Sequence, residues 1–161
     1  MKKLSLIVIC AFTALLFASC QSAKKEDKNG RTPSMVVDEM YKAMKDNRYD
    51  VAADFTKIPD TIKMKEEVAY PDFMGNEKKD GKIIIAGDVW KKFVISQMQN
   101  QSESARFELE SWEIVSEEIS NTDPNSAKVK TRIHITTNDG KSDADCSFPM
   151  KRENGVWLII G

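Results

Sequence analysis

The side chains of this chain that could do chemistry are few and widely spaced. His134 is the sole histidine, and Cys10, Cys20 and Cys146 are the cysteines. A catalytic imidazole needs a group to orient it and a reacting atom within hydrogen-bond reach. A zinc site needs three or four converging nitrogen, sulfur or carboxylate ligands. One histidine and three scattered cysteines supply neither, so no metal and no cofactor is expected. Glu66-Glu67 and Glu117-Glu118 are neighbours in sequence, point apart, and do not make a facing carboxylate pair. The serines have no positioned histidine to activate them. Gly81 and Gly87 stand alone, with no glycine-rich phosphate loop around them.

Cys20 is set apart by what precedes it. Lys2 and Lys3 carry positive charge, Leu4 to Phe17 is apolar except for Ser5 and Thr13, and Ala18-Ser19 supplies small residues. That is the layout of an export signal with a cleavage site. The apolar run falls short of the roughly 20 residues that span a bilayer. Phe17-Ala18-Ser19-Cys20 resembles the lipobox of bacterial lipoproteins. The resemblance implies that residues 1–19 are removed and that Cys20 takes a diacylglyceryl group as a thioether, with a further acyl chain (palmitate or a similar fatty acid) on its new amino group. Two or three chains hold a protein firmly where one, at about 0.8 kcal/mol per buried CH₂, holds it marginally. Cys10 then leaves with the signal, Cys20 is lipidated, and Cys146 has no partner for a disulfide, which reads as a small buried hydrophobe.

Residues 20–31 contain the lipid site followed by Ser, Lys, Glu, Asp, Asn and Gly, with Ala23 the one apolar side chain. The expectation is a flexible tether. Within it, Lys25-Glu26-Asp27 resembles the charged signal that sends some Bacteroidota lipoproteins to the cell surface, and a solvated spacer is the plainer reading. Gln21 is not the Asp that retains lipoproteins in the enterobacterial inner membrane. The location expected is therefore the cell envelope, at the outer membrane, on either face. Lys and Arg total 24 against 25 Asp and Glu, so removal of the signal leaves a mildly acidic chain with no basic block for nucleic acid.

Residues 32–161 are expected to form one domain. Thr32-Pro33 marks a helix start, with Val36, Val37, Met40, Tyr41 and Met44 on one stripe. Asp50 is expected to cap a short helix carrying Val51, Ala52 and Phe55, and Asp88 one carrying Val89, Trp90, Phe93, Val94 and Met98. Between them, 60–69 reads as a short helix, Tyr70-Pro71, Gly75 and 78–81 as loop, and Ile83-Ile84-Ile85 as a brief strand. From residue 107 the period becomes two, giving strands over 107–119, 127–137, 141–151 and 156–160. Short turns between them mean an antiparallel meander, and helices before strands mean an α+β domain with helices on one sheet face.

Centring a hairpin turn on Asp139-Gly140 sets Asn138 opposite Lys141. Ile135 then meets Ala144, Ile133 meets Cys146, Thr131 meets Phe148 and Val129 meets Met150, all on the core face. The outer face pairs Thr136 with Asp143, His134 with Asp145, and Arg132 with Ser147. Cross-strand charge pairing accounts for Lys128, Lys130, Arg132, Asp143 and Asp145 together, and for His134 with them. Trp112 and Ile114 fall on the outer face of an unbroken first strand, as a partner or dimer surface, and turn inward if a bulge lies near Ser111.

Three helices followed by a meander that ends in Arg152-Glu153-Asn154-Gly155-Val156-Trp157 resemble the nuclear-transport-factor-two-like (cystatin-like cone) superfamily. Thr32-Pro33 through Tyr49-Asp50-Val51-Ala52-Ala53 is similar to its uncharacterised lumazine-binding-type bacterial lipoproteins of Bacteroidota. The resemblance implies a cone of helices on a curved sheet, a scaffold that hosts isomerases, dehydratases, binding proteins and assembly domains. Its enzymes place Asp, His or Tyr inside the cone; His134 lies outside. The reading is a lipid-anchored, non-enzymatic module that binds a small apolar ligand or a protein, with Tyr41, Phe55, Trp90, Phe93, Phe107 and Phe148 as candidate lining. The alternatives are an isomerase or hydro-lyase using Asp54 or Tyr41, and a homodimer or interaction module working through the outer sheet face.

Overall fold

The computed structural model describes residues 25–65, 73, 76–104 and 108–160; the signal segment, Cys20, Tyr70-Pro71, Gly75 and Phe107 lie outside them. The order is helix α1 (Pro33–Lys45), helix α2 (Tyr49–Asp54), strands β1 (Thr61–Lys65), β2 (Lys78–Lys79) and β3 (Lys82–Ala86), helix α3 (Gly87–Ser104), then β4 (Glu108–Ile119), β5 (Ser126–Thr137), β6 (Gly140–Glu153) and β7 (Val156–Ile159). The last four form an antiparallel meander in the order β4-β5-β6-β7. The α+β class expected from the sequence is the class observed.

Helix α1 begins as its residues dictate. Thr32 is the N-cap, its hydroxyl accepting the Met35 N–H at 3.3 Å, and Pro33 follows in the first turn. Its Val36, Val37, Met40 and Tyr41 are buried with Val129, Ile133, Met150, Trp157 and Ile159 from the sheet. Helix α2 differs in detail: Arg48 holds the N-cap position without a side-chain bond, and Asp50 lies in the first turn.

The middle of the chain departs from expectation. Residues 61–65 form β1, where a helix was expected, and β1 pairs with β3 in a second, three-stranded sheet of order β1-β3-β2. Alternation explains it: Ile62 and Met64 face one way and pack on a second core of Phe73, Ile83 and Ile85, while Thr61, Lys63 and Lys65 are exposed. The segment 78–81 is likewise no irregular loop. Asp80 and Gly81, at φ 51° and 68°, turn β2 back into β3 with Lys79 opposite Lys82. Helix α3 sets Val89, Trp90 and Phe93 on this second core.

The β5–β6 register is two residues from the expected one. Thr137 pairs with Gly140, Ile135 with Ser142, Ile133 with Ala144, Thr131 with Cys146 and Val129 with Phe148. Centring the turn on Asp139-Gly140 would require positive φ at both; instead Asn138-Asp139 is the corner and Gly140 alone takes positive φ, at 115°. Because the side-chain period is two, the shift keeps every residue on its expected face and changes only its partner. Strand β4 carries irregularities between Leu109 and Ser111 and between Ile114 and Ser116. The first turns Trp112 towards the core, so the indole is not part of an outer partner surface.

Candidate functional site

The candidate lining residues do not converge. Tyr41, Phe55 and Phe148 belong to the main core and Trp90 and Phe93 to the second. The Tyr41 ring lies 5.4 Å from Trp112 and 5.7 Å, edge-on, from Phe148. Phe73 meets Phe93 at 4.8 Å and Trp90 at 5.7 Å. Spacings of this kind are those of aromatic side chains packed on one another. Phe55 instead lies under the Arg31 guanidinium, 5.8 Å from its ring centre.

The residues considered for acid–base work are also separated. The Tyr41 hydroxyl shares a 2.9 Å hydrogen bond with Thr131 Oγ1, and burial pushes the phenol well above its ordinary range. Asp54 does not face the interior; it is exposed at the end of α2 and paired with Lys91 of α3. His134 is on the outer face as expected, with Asp143 Oδ1 2.7 Å from its Nδ1 rather than Asp145. Arg132 takes Asp145 through Nε at 2.8 Å and raises a ladder of opposite charges with Glu113. Among the described residues no group of three or more His, Cys, Asp or Glu could hold a metal, and no helix is long and apolar enough to cross a membrane.

Two features lay beyond sequence reasoning. The first is an open cleft of about 620 Å³ walled by Asp54, Thr56, Ile58, Pro59, Lys91 and Leu158. Its rims are tied by two ion pairs, Lys57 to Glu153 and Lys91 to Asp54. The chain after α2 forms one wall because it is stitched to β7: Lys57 N donates to Ile159 O at 2.7 Å and Ile159 N to Phe55 O at 2.8 Å. The signal in the sequence is Ile58-Pro59-Asp60, an extended prolyl segment between a helix and a strand.

The second feature is the segment 25–31, which is not a free tether. Asp27 is buried, and its carboxylate accepts the N–H groups of Asn29 at 2.7 Å, Arg31 at 3.0 Å and Trp157 at 3.4 Å. Arg31 Nη2 adds an ion pair at 3.2 Å. Burial opposes charge on Asp27, yet these donors outweigh it and hold the carboxyl below the usual range. Lys28 N donates to Gly155 O at 2.7 Å, and Trp157 Nε1 to Lys25 O at 3.0 Å. These contacts cover one stretch of the open edge of β7 and the Phe55–Lys57 stitch covers another, which protects a strand edge from pairing with other chains.

No protein-family model matches the chain, and no curated protein matches it. Solved structures resemble it in outline. One is an NTF-2 like protein of unknown function from Shewanella oneidensis, at 12% identity over 80% of this chain and 96% of that one, TM-score 0.47. A second is a domain of unknown function with a cystatin-like fold from Nostoc punctiforme, at 12% identity over 77% of this chain and 68% of that one, TM-score 0.49. A third is the beta subunit of the benzoate 1,2-dioxygenase from Burkholderia mallei, at 10% identity over 78% and 82%, TM-score 0.46. The first two carry NTF-2 like and cystatin-like in their names, the terms of the resemblance read from the sequence, and likenesses this remote assign no activity, ligand or partner to this chain.

Proposed function

We propose that this protein is a lipid-anchored binding module of the cell envelope, attached to the outer membrane through Cys20, and that it is not an enzyme. The observation that carries the binding role is the open cleft between the Thr56–Asp60 segment, α3 and β7. Its rims present the cations Lys57 and Lys91 beside the carboxylates Glu153 and Asp54. Such a surface suits a ligand that carries both charges, and an extended segment of a partner protein fits an open groove better than a small apolar molecule does. Against the apolar ligand stands the use of Tyr41, Trp90, Phe93 and Phe148 in ring-on-ring packing. Against an isomerase or hydro-lyase stand the hydrogen-bonded, raised Tyr41 phenol and the exposed, paired Asp54. The lipid anchor rests on Phe17-Ala18-Ser19-Cys20.

The cleft is tested with a photo-crosslinking residue at Ile58 in the full-length protein, in intact cells. The expected result is one discrete adduct that is absent when the crosslinker is at Asn138 and lost on Lys91→Glu. Adducts that are equal from both positions, or unchanged by Lys91→Glu, would overturn the assignment. The anchor is tested by labelled palmitate, whose incorporation should disappear on Cys20→Ser.

A further inference from the structure

From the clamp at residues 25–31 we infer that the domain stands end-on against the phospholipid surface, with its Asn154-Gly155 turn towards the headgroups. The inference rests on the lipid anchor proposed above. Lys25 is already fixed, its carbonyl taking the Trp157 indole N–H, and Glu26 O takes Arg152 Nη1 at 3.1 Å. Five residue steps separate Cys20 from Lys25. At roughly 3.6 Å per residue they reach at most about 18 Å. Strand β5, twelve residues long, spans roughly 40 Å at about 3.3 Å per residue. The leash is thus less than half the length of the sheet, and it leaves from one end of it.

Charge decides how that end is presented. Lys25 and Lys28 are exposed there, and Arg152 lies over the Trp157 ring at 5.2 Å. The carboxylates nearby are Glu26, the buried Asp27, already satisfied by four donors, and Glu39, Glu153 and Asp123, which are ion-paired to Arg31, Lys57 and Lys151. The clamp end therefore carries a small excess of positive charge, and an anionic leaflet attracts its Lys and Arg side chains. The outer sheet face, the surface on which a recumbent domain would lie, has Lys130 with Glu118, Arg132 with Glu113 and Asp145, and His134 with Asp143. Apart from Lys128, which is exposed at the clamp end of that face, these are balanced pairs and give anionic lipid little to hold. The cleft shares Glu153 and Asn154 with the clamp end, so that part of its wall lies nearest the membrane.

The test uses full-length lipidated protein in vesicles of phosphatidylethanolamine and phosphatidylglycerol, with Cys146→Ala as background. A donor dye is placed at Asn121→Cys, in the β4–β5 turn beside Arg152, or at Asn138→Cys, in the hairpin at the opposite end of β5. Energy transfer to an acceptor lipid is then measured. Expected is several-fold greater transfer from position 121 than from 138. Inserting a Gly/Ser linker of about 20 residues after Gln21 should erase most of that difference. Equal transfer from both positions in palmitate-labelled protein, or a difference that survives the linker, overturns this inference and leaves the anchor standing. Absence of palmitate label overturns the anchor, and the inference with it.

Discussion

Asp27 Oδ2 accepts the backbone N–H of Trp157 across 130 residues of sequence, in a contact whose carboxylate is fully shielded from water. The start of the domain is thereby fastened to its last strand. Asp27→Ala removes the acceptor for three backbone N–H groups and leaves Arg31 without its buried partner. Orphaning buried donors costs about 1–3 kcal/mol. The expected outcome is a loss of that size in urea unfolding, with Trp157 fluorescence shifted to the red. An unchanged midpoint would show that the clamp adds nothing to stability.

The same carboxylate sets an acid limb. Its folded pKa lies below the ordinary value, so the charged form is favoured in the native state. The stabilisation is complete above the unfolded pKa, near 3.9, and is lost as pH falls through the lower folded value. Asp123, held down to about 2 by Lys151, Ser126 and the Asn125 N–H, has the same sign. Wild type should lose stability progressively below about pH 4. In Asp27→Asn part of that slope should vanish, which chemical unfolding at a series of pH values will show.

Much of this architecture was legible in the residues. Thr32-Pro33 announced α1, the change of period after residue 107 announced the meander, and the single face shared by Val129, Thr131 and Ile133 announced the core. Three things were not legible, each for a physical reason. The polar composition of 25–31 reads as solvated chain because an aspartate buried by backbone N–H donors looks, in sequence, like one in water. Over 61–65 the helix expected for 60–69 lost to Ile62 and Met64, whose alternation gains meaning only beside Ile83 and Ile85, while 66–69 lie outside the described residues. The hairpin at Asn138 moved by one position, with Gly140 alone at positive φ, although the Asp80-Gly81 turn takes it at both residues, so the dipeptide by itself does not fix the corner. For the site, sequence identified aromatic residues that turned out to pack on one another, whereas the cleft depends on Phe55–Lys57 meeting Ile159, a pairing without a local signature.

Tyr41 and Thr131 form a buried hydroxyl pair, with Cys146 also in reach of the phenol, and a double-mutant cycle reads their coupling. Tyr41→Phe should cost about 1–2 kcal/mol, because the Thr131 hydroxyl is left buried without its partner. Thr131→Val should cost a similar amount. The double variant should cost less than the sum, with a coupling of about 0.5–1.5 kcal/mol. Strict additivity in thermal or urea unfolding would mean that the two hydroxyls do not depend on each other. The enzyme alternative makes the opposite demand, that the phenol be free to meet a substrate.

Gly87 is the residue whose replacement should be felt at the cleft without touching a cleft side chain. A Cβ built there would stand 2.4 Å from Pro59 O and 3.3 Å from Asp60 Cα, both of them backbone. Neither can swing aside as a flexible side chain would. The same glycine donates its N–H to Asp60 O at 2.8 Å, so relieving the clash stretches the bond that joins β1's approach to α3. Overpacking of this kind typically costs about 1–3 kcal/mol. Gly87→Ala should therefore lower the unfolding midpoint and, by pushing Pro59 and Asp60 away from Lys91, reduce the Ile58 crosslink in protein that is still folded at assay temperature. Wild-type stability together with a wild-type crosslink would show that the Pro59–Asp60 wall yields freely, and that the cleft has no fixed shape to recognise.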